Sequence, residues 1–405
     1  MTRPQLLVIG TGAKHYREYL LRSIATGFRI HLFTGTDPTW EKEYADGWTV
    51  LTDTLDTGAL VTAARELDPA PDGVLCWDEA RILQTAHVAE ALGLPGSGVD
   101  AVGRCRDKHL TRSALAAAGV PQPESVLVGT VEDALAAAGR IGYPVVLKPR
   151  ALAASLGVIL ADGPDDVREH FAFARDTTVP EAPHYDVSVL VEEYADGPEI
   201  SVDCCVFRGT VTPYCVAHKQ VGYPPYFEEV GHVVDGADPL LTEPSFLKLL
   251  SDVHVALDIT DCMTHVEFRL TPDGPKLIEV NARIGGDMIP YLGLRTNGVD
   301  PGLAAAAVAC GIEPRLAPGE VRCGAVGFSY VPVPMEVGSI GFEGRLPAEV
   351  DLALVLHQPG AKLAPPPEGT LWGRTAFVTA FAATTAECTA AVEDALAALH
   401  VEPAR

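Results

Sequence analysis

The stretch from Met263 to Arg283 restricts the fold more than any other part of the chain. Met263-Thr-His265-Val-Glu267-Phe-Arg269-Leu alternates with period two, the mark of a half-buried strand. Thr271-Pro-Asp273-Gly274-Pro reads as a turn, and Lys276-Leu-Ile-Glu279-Val-Asn281-Ala-Arg283 as the returning strand. His265, Glu267 and Arg269 share one face of the first strand; Leu277, Glu279, Asn281 and Arg283 share one face of the second. With the loop centred on Asp273, Glu267 stands across from Glu279 and His265 across from Asn281. Val266, Phe268, Ile278 and Val280 predict a core strand pair. Two carboxylates opposed on one buried face repel each other, so one takes up a proton or a cation lies between them. The Asn281 carbonyl adds a hard oxygen. Glu267, Glu279 and Asn281 therefore suit Mg²⁺, which prefers oxygen and retains water and phosphate ligands. Arg283 adds a fixed positive fork for phosphate.

The rest of the chain supplies a frame for this hairpin. Strand signals at Gln5–Gly10, Arg29–Thr34 and Gly73–Trp77 alternate with helical stretches such as Asp56–Leu67 and Glu79–Leu92, predicting a small doubly wound parallel sheet. Ligands bind such sheets at the carboxyl ends of strands, so Gly10–Gly12 and Asp78-Glu79 face one edge. Gly10-Thr-Gly12 is not a dinucleotide fingerprint, because the third glycine and the acid after the second strand are absent; it reads as a strand-to-helix turn. After a Gly/Pro loop at Leu94–Val99 comes a helix from about Asp107 to Ala118. A compact α+β unit follows: strands Ser125–Val128, Val145–Lys148, Gly157–Leu160 and Ser188–Glu193, with helices Val131–Ile141 and Pro164–Ala174. From Glu199 the pattern is strand-rich, ending in a helix near Ala386–Leu399. These signals predict three units, residues 1–105, 106–194 and 195–405, in an α/β and α+β architecture.

Composition narrows the function. The 405 residues carry a formal charge of −24, which argues against nucleic-acid binding but allows a nucleotide in a locally basic, cation-lined cleft. The nine cysteines include no CxxC pair, so neither a disulfide framework nor a zinc pattern is read. Reduced thiols fit a cytoplasmic protein. No apolar run reaches the roughly 20 residues of a membrane span, and the six-residue run after Met-Thr-Arg-Pro is too short for a signal peptide.

Two further segments bear on chemistry. Tyr143-Pro-Val-Val-Leu-Lys148 is an apolar strand that delivers a lysine, followed by the small-residue loop Ala151–Gly157. A lysine at a buried strand end must find an anion or reach water, and small residues let backbone N–H groups approach phosphate; an ordinary hairpin with a surface lysine fits equally well. Val189-Leu-Val191-Glu192-Glu193-Tyr194-Ala195-Asp-Gly197-Pro-Glu199 runs from a strand through an acidic linker into the next strand. It reads as a solvated turn or as a backbone edge for adenine with a carboxylate for ribose.

In this order, the three segments resemble the ATP-grasp superfamily over roughly Asp107 to Gly286, and the amino-terminal α/β unit fits it too. The resemblance implies a doubly wound amino-terminal domain, a mobile lid lobe around residues 120–190 and a carboxy-terminal catalytic lobe. It implies ATP and Mg²⁺, with Mn²⁺ as the alternative ion. Lys108 and Lys148 match the phosphate-binding lysines, Ala154 and Ser155 the phosphate loop, Glu192, Glu193, Tyr194 and Ala195 the adenine hinge, and Glu199 the ribose acid. Glu267, Glu279 and Asn281 match the metal ligands and Arg283 the arginine on the transferred phosphoryl group. Arg283, Lys148 and His265 are the catalytic candidates. Within the superfamily the chain looks closest to bacterial L-amino-acid ligases. There Glu229, in Tyr226-Phe-Glu228-Glu229-Val-Gly-His232, would bind the amino acid's ammonium with His232 beside it, the glycine turn of Gly285 and Gly286 would receive a carboxylate, and Glu79 would lie near the active site. The loop Ala151–Gly157 departs from many relatives in having little glycine. Lys219 reads as a substrate-side cation or a surface residue.

The implied activity is ATP-dependent joining of an amino acid's carboxylate to an amine through an acyl phosphate, with small-molecule substrates, no nucleic acid or membrane partner, and a homodimer as the family's habit. Bicarbonate-activating carboxylase-like or purine-pathway relatives are the alternative within the fold. A non-catalytic ATP-binding protein is the alternative outside catalysis, against which the intact set Glu267, Glu279, Asn281 and Arg283 counts.

Overall fold

In the computed structural model, which describes residues 3–179 and 185–405, apolar runs and amphipathic stretches sort into four sheets. Strand β1 (Gln5–Ile9) leads into α1 (Lys14–Gly27), then β2 (Arg29–Thr34), β3 (Gly47–Val50), α2 (Thr57–Arg65), β4 (Gly73–Leu75), α3 (Ile82–Leu92) and α4 (Val99–Arg106). The strands pair in parallel in the order β3-β2-β1-β4. β1 is buried along its length, as a strand covered on both faces must be. Gly10 and Gly12 have φ of 72° and 73°, left-handed values that glycine adopts without a Cβ clash. β3 has exposed residues at alternate positions and no apolar run, so it is absent from the strands expected from sequence. β4 and α3 are shorter than expected. Residues 76–81 become a loop at the carboxyl edge of the sheet, where Asp78 accepts from the Ala80 N–H and pairs with Arg81.

Helix α5 (Lys108–Ala118) is capped by Asp107, whose side chain accepts from His109 and Leu110 N–H groups. Then come β5 (Ser125–Val128), α6 (Val131–Ile141), β6 (Val145–Pro149), β7 (Ile159–Ala161), α7 (Pro164–Asp176) and β8 (Val189–Glu193). The strands form an antiparallel sheet, β5-β8-β6-β7, and α6 and α7 pack on it through Ala134, Ala138, Val167 and Phe171. The lobe expected around residues 120–190 is described except for 180–184, which lie outside the described residues. α5 packs against α8 and β13 (below), with Leu115 in their core, and meets this lobe through its Lys108 N–H, which donates to the Arg150 carbonyl, and through Arg112, which binds Glu192.

The remaining elements are β9 (Glu199–Phe207), β10 (Thr210–Gly222), β11 (Glu228–Asp235), α8 (Pro244–Ala256), β12 (Cys262–Thr271), β13 (Gly274–Asn281), α9 (Ile289–Asn297), α10 (Pro301–Ala309), β14 (Cys323–Tyr330), β15 (Met335–Phe342), β16 (Val350–Val355), β17 (Lys362–Leu363), β18 (Arg374–Ala382), α11 (Thr385–Ala397) and β19 (Leu399–Pro403). Eight strands form an antiparallel sheet, β13-β12-β9-β10-β11-β14-β18-β16; β17-β15-β19 form a small second sheet. α11 opens with a reciprocal capping box between Thr384 and Glu387. The helix expected near Ala386–Leu399 stops at Ala397, and Leu399 starts β19. One face of the large sheet is covered by α8, the other by α9 and α10, whose core is shared with α1. The amino-terminal unit is thereby fastened to the large sheet. Among the described residues no helix is long and apolar enough to cross a membrane.

The register of the β12–β13 hairpin matches the sequence expectation, but by another route. Glu267 pairs with Glu279 and His265 with Asn281. The strands are joined by Pro272 and Asp273 alone, because Thr271 pairs with Gly274. That tight turn by itself would set Glu267 against Ile278. A bulge at Ile278, between the pairs Glu267–Glu279 and Phe268–Leu277, restores the opposition. It also corrects two expectations. Leu277 turns into the core beside Phe268 and Val280, whereas Ile278 joins Glu279 on the cleft side. Arg283 lies beyond the end of β13 rather than on its face.

Gly73 shows how tightly the amino-terminal sheet meets α10. A Cβ there would lie 2.4 Å from the Ala309 carbonyl oxygen and 2.6 Å from its carbon. Gly73→Ala is expected to cost about 2 kcal/mol, seen as a lower denaturant midpoint at unchanged slope. Gly103→Ala, with open space around it, should leave the midpoint unchanged or raise it.

Candidate active site

The strand ends of the lid sheet and the β12–β13 hairpin enclose one cleft. It is lined by Lys148, Ala154, Ser155 and the 192–195 linker, by Lys108 at the start of α5, and by Glu199, Glu229, Glu267, Arg269, Ile278 and Glu279 of the large sheet. Residues separated by more than a hundred positions thus face each other.

The lysines are held by buried acids. Lys108 donates to the Leu152 carbonyl and to Glu279 Oε1 at 2.9 Å. Lys148 meets Glu192 Oε2 at 2.5 Å. Glu192 also takes two bonds from Arg112, at 2.8 and 3.0 Å, while Arg112 donates to the carbonyls of Leu277 and Ile278. The Glu192 carboxylate is therefore committed to positioning Lys148. Burial alone would raise Glu192, but Arg112 and Lys148 outweigh it and hold it at about 2. Burial lowers Lys148 to about 8 in spite of Glu192, with Arg112 and Lys108 adding to the effect.

Ala154 and Ser155 have φ of 56° and 54°, and Gly157 has 73°. The loop thus makes a left-handed turn although it is poor in glycine, and non-glycine residues in this region carry strain on the order of 1–3 kcal/mol each. Glu193 sits at the rim, paired with Lys276 at 2.5 Å. Tyr194 and Phe227 both lie under the Arg269 guanidinium, at 5.8 and 5.6 Å. Arg269 also reaches Glu199 at 2.8 Å.

Lys219 is neither a surface residue nor a free substrate-side cation. Its side chain is fully buried and meets Glu199, Glu229 and Glu267 at 3.0, 2.9 and 3.0 Å. Burial disfavours its charge, but the three glutamates push its pKa well above the usual lysine range. Glu267 is also met by His265 Nε2 at 3.2 Å, while His265 Nδ1 lies 2.6 Å from the fully buried Asp203. Against the cost of burial, Lys219 and His265 hold Glu267 at about 2, and Asp203 and Glu267 raise His265 to about 9. This amends the electrostatic argument made from sequence. The facing acids each have a protein cation, Lys219 for Glu267 and Lys108 for Glu279, so a proton or a metal ion is not the only way to neutralise them. His265 stands behind Glu267, from where it orients that carboxylate, rather than in the cleft itself. Asn281 remains distinctive: it is 3% exposed, and its Oδ1 has no hydrogen-bond partner among the described residues. An orphaned buried carbonyl beside Glu267 and Glu279 is the donor set a hard divalent cation takes.

A second cluster adjoins the first. Arg283 Nε donates to Glu79 at 2.5 Å, and Arg106 approaches Glu79 at 3.6 Å. The parallel sheet and the large sheet are thus joined through Glu79 and Arg283, both named from sequence. His232 Nε2 lies 3.3 Å from Glu229 and 3.4 Å from Asp287. Asp287 in turn binds Arg374 twice, at 2.6 and 2.8 Å, and Arg374 donates to Tyr330, which donates to Glu228. Gly285 packs where no side chain fits: a Cβ would lie 2.8 Å from His265 Nδ1 and 2.9 Å from both Asp203 carboxylate oxygens. Gly286 follows in the same turn and has open space around it.

Arg112, Asp203 and Arg374 are absent from the candidates found by sequence. Asp203 lies in an apolar strand, Glu199–Phe207, and Arg374 opens another, so a lone charge in a buried run was the available signal. Asp287 was visible in the glycine run without a partner to give it meaning.

Residues 141–291 match the ATP-grasp domain. Over 241 residues the chain is 30% identical to alanine–anticapsin ligase of Bacillus subtilis, covering 55% of this chain and 50% of that protein. Over 252 residues it is 29% identical to carnosine synthase 1 of Homo sapiens, covering 59% and 30%. It superposes on the crystal structure of L-amino acid ligase from Bacillus licheniformis over 100% of both chains, with a TM-score of 0.80 and 24% identity. The chain therefore carries an ATP-grasp domain within an ATP-grasp fold, and its sequence relatives include amino-acid ligases. It spans about half the length, or less, of these curated relatives.

Lys148 gives a signed pH prediction. The ammonium is the form that can hold phosphate, and it is lost as pH rises through about 8 in the free protein. kcat/KM for ATP, which reports free-enzyme groups, is expected to fall above pH 8. In Lys148→Arg, whose side chain stays charged, that fall should vanish even if the absolute rate is lower.

Proposed function

We propose that the protein is an ATP-dependent carboxylate–amine ligase that joins the carboxylate of an amino acid to an amine through an acyl phosphate. The observation that carries the reading is the meeting of Glu267 and Glu279 with Lys108 and Lys148 in one cleft, with the Asn281 carbonyl, unpartnered among the described residues, two positions after Glu279 on β13. Its amino-acid ligase relatives support it.

In this reading Lys108 and Lys148 hold the phosphates of ATP, the 192–195 backbone holds adenine and Glu199 the ribose. Glu267, Glu279 and Asn281 would hold Mg²⁺, which offsets charge on the phosphate oxygens when bound. The substrate carboxylate oxygen attacks the γ-phosphorus, and the bond to the β-phosphate oxygen breaks to release ADP. Arg283, oriented by Glu79, stabilises the charge on the transferred group. The amine nitrogen then attacks the acyl carbon, phosphate leaves, and the amine gives up a proton. Glu229 and His232, with Asp287, offer an acidic seat for the amino acid's ammonium.

The free volume of the cleft is about 90 Å³, against roughly 300–1,000 Å³ for small-molecule pockets. Nucleotide entry therefore requires the lobe carrying β5–β8 to swing away, and its return would exclude water from the acyl phosphate. Units at residues 1–105, 106–194 and 195–405 fit that division, since each contains its own sheet. We place the protein in the cytoplasm, consistent with nine free cysteines.

The decisive assay is phosphate release by the purified protein with ATP, Mg²⁺ and paired amino acids. Release that needs bicarbonate and ignores amino acids would sink the reading. Glu279→Gln is expected to lower turnover by about 10²–10³ while the circular dichroism spectrum at the assay temperature stays that of the wild type, with a lower melting temperature because Lys108 loses its carboxylate partner. Wild-type turnover in that variant would remove Glu279 from the site.

A further inference from the structure

We infer that an apolar cavity between the amino-terminal unit and the large sheet is a second ligand site, which takes a small neutral apolar molecule and acts on the active site through Arg283. The site stands on the cavity alone; the coupling rests on the proposed nucleotide site.

The cavity is walled by β4, α3 and α4 of the amino-terminal unit together with β12, α10 and the residues that follow β13, and it encloses about 380 Å³. The nucleotide cleft, at about 90 Å³, shares no lining residue with it among those described. Protein interiors are packed nearly as densely as organic crystals, with few voids larger than a water molecule. Here apolar walls stay apart instead. Ile82 and Val102 belong to one buried apolar cluster, Val74 and Ala89 to a second, and Met263 and Val308 to a third, and all six line the cavity. A cavity of roughly 150 Å³ with apolar walls is enough to take up a benzene ring. The larger volume here falls within the roughly 300–1,000 Å³ of small-molecule sites.

The wall chemistry selects a neutral guest. Its polar groups already have protein partners: the Thr85 hydroxyl donates to the Arg81 carbonyl, the Ser97 hydroxyl oxygen accepts from the Thr260 and Asp261 N–H groups, and Asp261 accepts from the Arg208 N–H. Burial pushes the Cys76 and Cys262 thiols, both in the wall, up to about 12, as surroundings poor in water do. Arg283 is the one cation of the wall among the described residues, and Glu79 already holds it. An anion would therefore give up its hydration with no free cation to meet it. Glu90, Ser97 and Gly98 line both the cavity and a surface hollow outside it, which provides an entrance. The Gly/Pro loop read from sequence as a boundary thus forms the rim. Arg283 carries the coupling. Its guanidinium binds Glu79 and the Ile284 carbonyl while its side chain forms part of the wall. A guest packed on this wall biases the arginine assigned to the transferred phosphoryl group, and an effector acts only through such a differential contact.

The test is calorimetric titration and thermal unfolding of the whole protein with toluene, indole and benzoate. Wild type is compared with Ala86→Leu and Ala305→Leu, which fill the cavity from α3 and from α10. Toluene and indole should bind wild type and raise its melting temperature as their concentration rises, whereas benzoate should do neither. Each filled variant should weaken both neutral probes by about tenfold or more, with wild-type circular dichroism and wild-type affinity for ADP with Mg²⁺. With toluene saturating, the affinity for the β,γ-imido analogue of ATP should shift by about fivefold or more. That for ADP should stay unchanged, since only the analogue carries the phosphate assigned to Arg283. Lack of binding by both neutral probes, equal binding of benzoate, or undiminished binding in both variants overturns the site. Probe binding that leaves the analogue's affinity unchanged overturns the coupling. A protein that binds neither nucleotide overturns the nucleotide site and the coupling with it, while toluene and indole binding still decides the cavity.

Discussion

A single buried ammonium, that of Lys219, holds the floor of the cleft. It stands on β10 and binds glutamates from β9, β11 and β12, so strands already joined by backbone hydrogen bonds are also joined by charge. Each glutamate faces the cleft, and without the lysine they would repel across a region with little water. Removing one partner of such a buried set typically costs 3–5 kcal/mol, because the remaining charges are left uncompensated. The same ammonium brings the acids assigned to ribose, metal and amino acid within reach of one cation. A change at any of these subsites is therefore felt by the others through it.

The site repeats this arrangement elsewhere. Several residues assigned to a ligand have a second residue that fixes them. Glu192 and Arg112 hold Lys148, Asp203 and His265 hold Glu267, and Glu79 holds Arg283. The partners come from different elements, which places the functional groups on a rigid frame before any substrate arrives. The lid lobe is tied to the catalytic sheet as well, since the Leu160 N–H donates to Pro225 and Tyr226 packs on Phe173. Tyr226 belongs to the β10–β11 connection, which ends at Glu228 and Glu229. The position of the β5–β8 lobe and that of Glu228 and Glu229 are therefore mechanically linked.

Much of the frame was legible in local patterns. Val131–Ile141 and Arg29–Thr34 were read to the residue, because helix propensity with a Thr130 cap and an apolar strand run are decided within a few positions. The opposition of Glu267 and Glu279 was legible too, although the bulge at Ile278 that produces it was not. A bulge is chosen by packing on both strands, and the faces of Leu277 and Ile278 were misassigned for that reason. The three-acid embrace of Lys219 was hidden because its members lie on four strands whose order, β12-β9-β10-β11, is not the order of the chain.

What the sequence determined by itself was the kind of chemistry: alternating acids on a hairpin, lysines at strand and helix ends, and a glycine turn after the second acid, all set by periodicity and side-chain type. Tertiary structure alone decided which charge meets which. Arg374 reaches Asp287, Arg112 reaches Glu192 and Arg283 reaches Glu79, because pairing depends on which elements pack together. Coulomb energy in a partly dry cleft depends on distance in space, and distance along the chain carries almost no information about it.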